Sequence, residues 1–154
     1  MKVLAIGAHP DDAEICCFGT LGRCVERGDV VVVCAVTNGE QGHHTIEPER
    51  LRMVRMVEGA KAASVIGASY CTLDVPDMGL DASDPTVQLR MTELLRSVRP
   101  DVIITHDLHD YHPDHNETID LVHRCLIQAK LHHVKTESPT LDSPVALFHM
   151  DKIG

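Results

Sequence analysis

Apolar residues recur along this chain in two alternating rhythms. Short runs of strand-forming residues span Val3 to Ala8, Val30 to Val36, Ser69 to Val75, Asp101 to Thr105 and Val145 to Met150. The second of these, VVVVCAV, is apolar throughout, as expected of a strand covered on both faces. Between the runs lie stretches with helical spacing. Asp11 to Arg27 reads as one helix closed by Gly28. Pro48 to Ile66 carries Leu51, Val54, Val57, Ala60 and Ala63 at helical intervals, with Gly67 after it. Pro85 to Val98 stops before Pro100, and Pro113 to Lys130 forms the last helix. Strands alternating with helices predict an α/β fold, a Rossmann-like three-layer sandwich. Its mostly parallel sheet is expected in the order 3-2-1-4-5. No internal repeat or low-complexity segment interrupts the pattern.

Composition narrows the function classes more than the fold. The 154 residues are 44% hydrophobic and only 3% aromatic, so aliphatic side chains must fill the core of a single soluble domain. A formal charge of −9 with no basic run argues against nucleic acid or an anionic membrane as partner. The six cysteines show neither a CxxC pair nor a regular framework. They read as reduced thiols and suggest a cytoplasmic protein. No signal peptide and no membrane-length apolar stretch is visible. The chain ends just after a strand, which is expected either of a minimal domain or of one lacking a further segment.

Two polar segments carry the candidate chemistry. Gly7-Ala8-His9-Pro10-Asp11-Asp12-Ala13-Glu14 sits where a strand ends and a helix begins. Helix capping alone accounts for Pro10, Asp11 and Asp12, since a proline and acidic residues suit a first turn. It does not account for His9, three residues before Asp12, a spacing that lets imidazole and carboxylate converge while Asp11 points elsewhere. The second segment runs from Thr105 to His115 and holds His106, His109, His112 and His115 at intervals of three, with Asp107, Asp110 and Asp114. A solvated loop is the bland alternative, and the density of ligand types beside a strand end weighs against it. In the expected strand order both segments follow neighbouring strands whose connections leave to opposite faces, and ligands bind in that crevice. Two imidazoles and a carboxylate suit Zn²⁺ with an open position, or Fe(II). A phosphate loop is disfavoured, because GAHPDD lacks the glycines of GxGxxG.

At His9-Pro10-Asp11-Asp12-Ala13-Glu14 and His112-Pro113-Asp114-His115 the sequence resembles the PIG-L/LmbE-like family of zinc-dependent N-deacetylases. Thr37-Asn38-Gly39-Glu40-Gln41-Gly42 is similar to that family's turn after strand two, and Arg55-Met56-Val57-Glu58 to its RxxE helix motif. The resemblance implies His9, Asp12 and His115 as zinc ligands and Asp11 as general base. It implies His112 as the group that steadies the oxyanion, Asp114 as the carboxylate orienting His112, and Arg55 as a substrate contact. A protonated His112 would serve best, and a neighbouring Asp would favour that form. His106 and His109 are left as loop or supporting residues.

The expected activity is removal of an acetyl group from an N-acetylglucosamine-type conjugate, a small-molecule substrate, with Zn²⁺ as cofactor. Family members are usually longer, so residues 1–154 are expected to be one deacetylase domain without the usual C-terminal extension. A trimer or hexamer, formed by some family members, is an expectation with no sequence feature of its own. Three other readings stay open: a metal- or sugar-binding module without turnover, a plain α/β domain with a polar loop, and a non-haem iron oxygenase.

Overall fold

The computed structural model describes residues 1–151. Five strands, β1 (Lys2–Gly7), β2 (Val30–Thr37), β3 (Ser69–Val75), β4 (Val102–Thr105) and β5 (Ala146–His149), form one sheet in the order β3-β2-β1-β4-β5. Every neighbouring pair is parallel, with Leu4 beside Val32 on one side and Ile103 on the other. The expected order holds, and the strand ends shift by a residue or so from those the apolar pattern suggests.

Alternation along β1 divides the core in two. Leu4 and Ile6 pack with Ile103, Met91, Leu95 and Leu121 beneath α4 (Pro85–Val98) and α5 (Pro113–Gln128). Val3 and Ala5 pack on the other face with Val31, Val33, Leu21 and Ala63. That face is covered by α2 (Phe18–Glu26) and α3 (Pro48–Val65). Residues 63–68 end α3 in a tight turn, which Gly67 completes at φ 77°, a conformation that disfavours a side chain. The covering is uneven. Beside α2 the outer strands leave an apolar groove of about 640 Å³ that includes Val102, Ile104 and Phe148.

One expected element is divided. The helix foreseen from Asp11 to Arg27 is α1 (Asp12–Cys16) followed by α2, because Cys17 leaves helical dihedrals at φ −142° and ψ 9°. The two pieces do different work: α1 buries Asp12 and Ala13 near the strand ends, and α2 lays Leu21 on the sheet. No helix among the described residues is long and apolar enough to cross a membrane.

Candidate metal centre

Two segments leave the carboxyl ends of adjacent strands and meet. β1 ends at Gly7 and passes through His9 and Asp11 into α1, while β4 ends at Thr105 and passes through residues 106–112 into α5. Because β1 lies between β2 and β4, and the helices that follow lie on opposite faces, a crevice opens there. Gly7 is needed for its missing side chain: a Cβ would stand 2.7 Å from the Asp12 Cβ. His112 caps α5, its Nδ1 accepting the Asp114 N–H at 3.2 Å, and Pro113 takes the first helical position.

The two segments share a cavity of about 480 Å³ whose wall includes His9, Asp11, Asp12, Arg55, His112 and His115. Within it, His9 Nδ1 lies 3.4 Å from Asp12 Oδ2, and His115 Nε2 lies 3.4 Å from Asp12 Oδ1. The two ring nitrogens are 3.3 Å apart. Three donors at tetrahedral angles around one small divalent ion stand about 3.3–3.5 Å apart. The separations are of that size, with His9 meeting one oxygen of the Asp12 carboxylate and His115 the other.

Surrounding hydrogen bonds decide which lone pairs remain. His9 Nε2 faces Asp114 Oδ2 at 3.2 Å, so a neutral ring would keep its proton there and offer Nδ1 to the cavity. Asp12 Oδ2 accepts the His9 backbone N–H at 2.7 Å, which leaves Oδ1. Other groupings of potential ligands draw in His106, His112, Asp77 and Asp114. Each of those is engaged. His106 Nε2 accepts the Ala8 N–H at 2.9 Å, and His112 Nδ1 holds the cap. Asp77 accepts from the Thr37 hydroxyl at 2.6 Å and the Gln41 N–H at 3.1 Å, and Asp114 accepts the Met78 N–H at 2.9 Å. His106 Nε2 also stands 3.1 Å from Asp12 Oδ2, within hydrogen-bond distance of the carboxylate. Two imidazoles and a carboxylate are a fitting donor set for Zn²⁺ or Fe(II).

The titration behaviour reflects the same crowding. Burial disfavours the His9 cation, yet the hydrogen bond and charge of Asp12, with Asp77 and Asp114, outweigh it and raise the ring to about 9. His115 is raised likewise, burial being overcome by Asp12 and Asp110. Burial also works against the Asp12 anion, but His106, His115 and His9 hold it far below the ordinary carboxylate range. Without metal, protons on these rings supply the positive charge. His112 moves the other way. Burial and the charges of His9 and His115 keep it below its ordinary value. This runs against the protonated His112 expected from the sequence, and a neutral ring with Nδ1 holding the cap would carry its proton on Nε2.

Asp11 is placed beside this set, not in it. Its carboxylate receives Arg55 Nη2 at 2.9 Å, and Arg55 in turn meets Glu58 at 3.3 Å. Arg55 thus reaches the cavity from α3 and holds Asp11. Asp114 is a second correction. Its buried carboxylate is directed at His9, and it meets His112 only through its own backbone N–H.

The family model of GlcNAc-PI de-N-acetylases (PIG-L) matches residues 4–126. The chain belongs to this family. A 1D-myo-inositol 2-acetamido-2-deoxy-alpha-D-glucopyranoside deacetylase of Kineococcus radiotolerans is 29% identical, over 83% of this chain and 45% of its own. An N,N'-diacetylchitobiose deacetylase from Pyrococcus horikoshii shares the fold with a TM-score of 0.89 at 25% identity, over 98% of this chain and 60% of its own. A 4-carboxy-2-hydroxymuconate hydratase of Pseudomonas putida KT2440 gives 0.83 at 24% identity, over 93% of this chain and 62% of its own. The fold alone therefore does not select the reaction. The chain spans about half the length of the curated relatives it matches.

Within this PIG-L chain, Asp77 escaped the reading of motifs, while His106 reads from the sequence only as a loop or supporting residue and Asp110 stands in the second segment without a role. Asp77 lies just past β3 and lines the cavity, so the rule that ligands gather at strand carboxyl ends could have found it. His106, the first residue after β4, is buried and stacks on His115 with ring centroids 3.9 Å apart. Asp110 lies against His115, five residues before it, and no motif points there.

Proposed function

We propose that this chain is the catalytic core of a zinc-dependent N-deacetylase that hydrolyses the acetamide of an N-acetylglucosamine-type conjugate. One arrangement carries the reading: free lone pairs on His9, Asp12 and His115 share a cavity with a carboxylate outside that set, Asp11, and an N–H donor, His112. When bound, the ion polarises a carbonyl and lowers the pKa of water from about 15.7 toward 7. Asp11 takes the proton of the attacking water and passes it to the departing amine, work that typically contributes about 10²–10⁴ in rate. Arg55 keeps Asp11 aimed into the cavity and is available to a substrate oxygen on its other side. The His112 Nε2–H meets the developing oxyanion, and loss of one such donor typically costs about 10²–10³ in rate. Because the cap keeps this proton on Nε2, the ring donates while neutral. Asp114 keeps the His9 proton on the nitrogen away from the metal. The six free thiols, including Cys34 and Cys71 on neighbouring strands, suit a reducing compartment, and we place the protein in the cytoplasm.

The test is primary-amine release from a panel of N-acetylglucosamine conjugates, with added Zn²⁺, with chelator, and with Asp11→Asn. Metal-dependent release that falls by about 10²–10⁴ in the variant is expected. Bound metal with no amine released from any conjugate would instead support a binding module. Water addition to an unsaturated acid would support chemistry like that of the hydratase.

A further inference from the structure

Each imidazole that offers a lone pair to the centre has a second ring nitrogen, and each of those nitrogens faces a buried carboxylate. For His9 it is Asp114. For His115 it is Asp110, whose Oδ1 lies 3.0 Å from Nδ1 and whose side chain is 4% exposed. The contact is short but off the line of the ring N–H, and no hydrogen-bond partner otherwise serves this buried nitrogen among the described residues. We propose that Asp110 is a positioning residue for metal binding, keeping the His115 proton on Nδ1 so that Nε2 faces the centre. The proposal rests on the reading of His115 as a ligand.

The surroundings of Asp110 are built to hold it still. Its Oδ1 accepts the His112 N–H at 3.1 Å, closing a turn just before the cap of α5. Asn116 clasps the same turn from the first helical turns: its Oδ1 accepts the Asp110 N–H at 2.9 Å, and its Nδ2 donates to the Asp110 and His112 carbonyls at 2.8 and 2.9 Å. The His115 ring is meanwhile stacked 11° from parallel with His106. With the ring plane set by stacking, the remaining choice is which nitrogen carries the proton. A carboxylate beside Nδ1 makes that choice and raises the basicity of Nε2.

A turn-forming role alone predicts something different, and Asp110→Asn separates the two. Asparagine keeps an acceptor for the His112 N–H at nearly the same volume, and it removes the negative charge from His115. Affinity for Zn²⁺ is measured by competition with a chromogenic chelator in wild type and variant, beside thermal melts of both metal-free proteins. Affinity lower by about 10–100-fold with little change in melting temperature is the expected result. Unchanged affinity overturns the proposal, as does an affinity that falls only in step with the melting temperature. Should the variant fail to fold, ring ¹⁵N shifts of His115 in zinc-loaded wild type decide the matter: a protonated Nδ1 is expected, and a bare Nδ1 overturns it. A wild type that binds no Zn²⁺ at all refutes the deacetylase reading itself, and this proposal with it.

Discussion

Two regions of this protein bury charge, and they do so in opposite ways. On α4, Arg96 is 3% exposed. Its guanidinium donates to the carbonyls of Gln128, Ala129, Leu131 and Val134 at 2.8–3.2 Å and to the Thr136 hydroxyl at 2.5 Å. Several of these carbonyls end α5, where a cation also suits the helix dipole. Every donor meets an acceptor, and the charge serves to pin the chain that follows α5. At the carboxyl ends of β1 and β4 the match fails. His9 Nδ1, His115 Nε2 and the Asp12 carboxylate crowd one another at 3.3–3.4 Å, and without metal only protons on the two raised imidazoles balance the carboxylate. A charge matched by fixed backbone acceptors is a structural fastening, whereas ligand atoms held together by exchangeable protons form a socket for a cation.

That contrast breaks most visibly at the ligands. Asp12→Ala and His115→Ala should each abolish stoichiometric zinc and all turnover, with metal content per chain as the check. A variant that keeps one tightly held ion would move the site elsewhere. Arg96→Met should do the reverse. It leaves several buried carbonyls unpaired and should cost about 3 kcal/mol or more in denaturant melts, while zinc affinity stays unchanged.

Acid should weaken the socket and spare the fastening. If His9 is a ligand, a zinc ion would bind only its neutral ring, which in the metal-free protein is raised to about 9. Below that value binding must displace a proton, so apparent affinity should fall about tenfold per pH unit and level off above it. Titrating zinc affinity between pH 6 and 10 reads the slope, and a flat profile would remove His9 from the ligand set. The smallest effect is expected at Met78, whose φ of 59° is left-handed and whose N–H is aimed at Asp114. Met78→Gly keeps that N–H and relieves the strained backbone. Stability should change by no more than about 1 kcal/mol, on the favourable side, with zinc affinity intact.

How much of this was legible in the sequence differs between the two regions. The strands and the helices α4 and α5 follow from apolar periodicity, because one buried face per element leaves a one-dimensional trace. On α3 the expected stripe is only partly buried, with Val57 and Ala60 exposed and Gly59 turned inward. The two segments of the centre were visible as well, since His9, Asp12, His112 and His115 stand at strand ends in dense polar runs. Proton positions were not. The contact of Asp114 with His9 joins residues 105 positions apart, and the cap that occupies His112 Nδ1 forms only once α5 does. The break at Cys17 also left no trace, because α1 and α2 together keep a helical pattern. Arg96 left none either, being one basic residue on an amphipathic helix. Only the folded chain after α5 supplies the carbonyls that draw it inward.

The central claim concerns which atoms hold the metal, and X-ray absorption at the zinc edge of the protein loaded with one equivalent tests it most directly. A shell of two imidazole nitrogens with carboxylate and solvent oxygens at about 2.0–2.2 Å is expected. A sulfur at about 2.3 Å, which Cys16 on the cavity wall could supply, or a shell without imidazole, would contradict it.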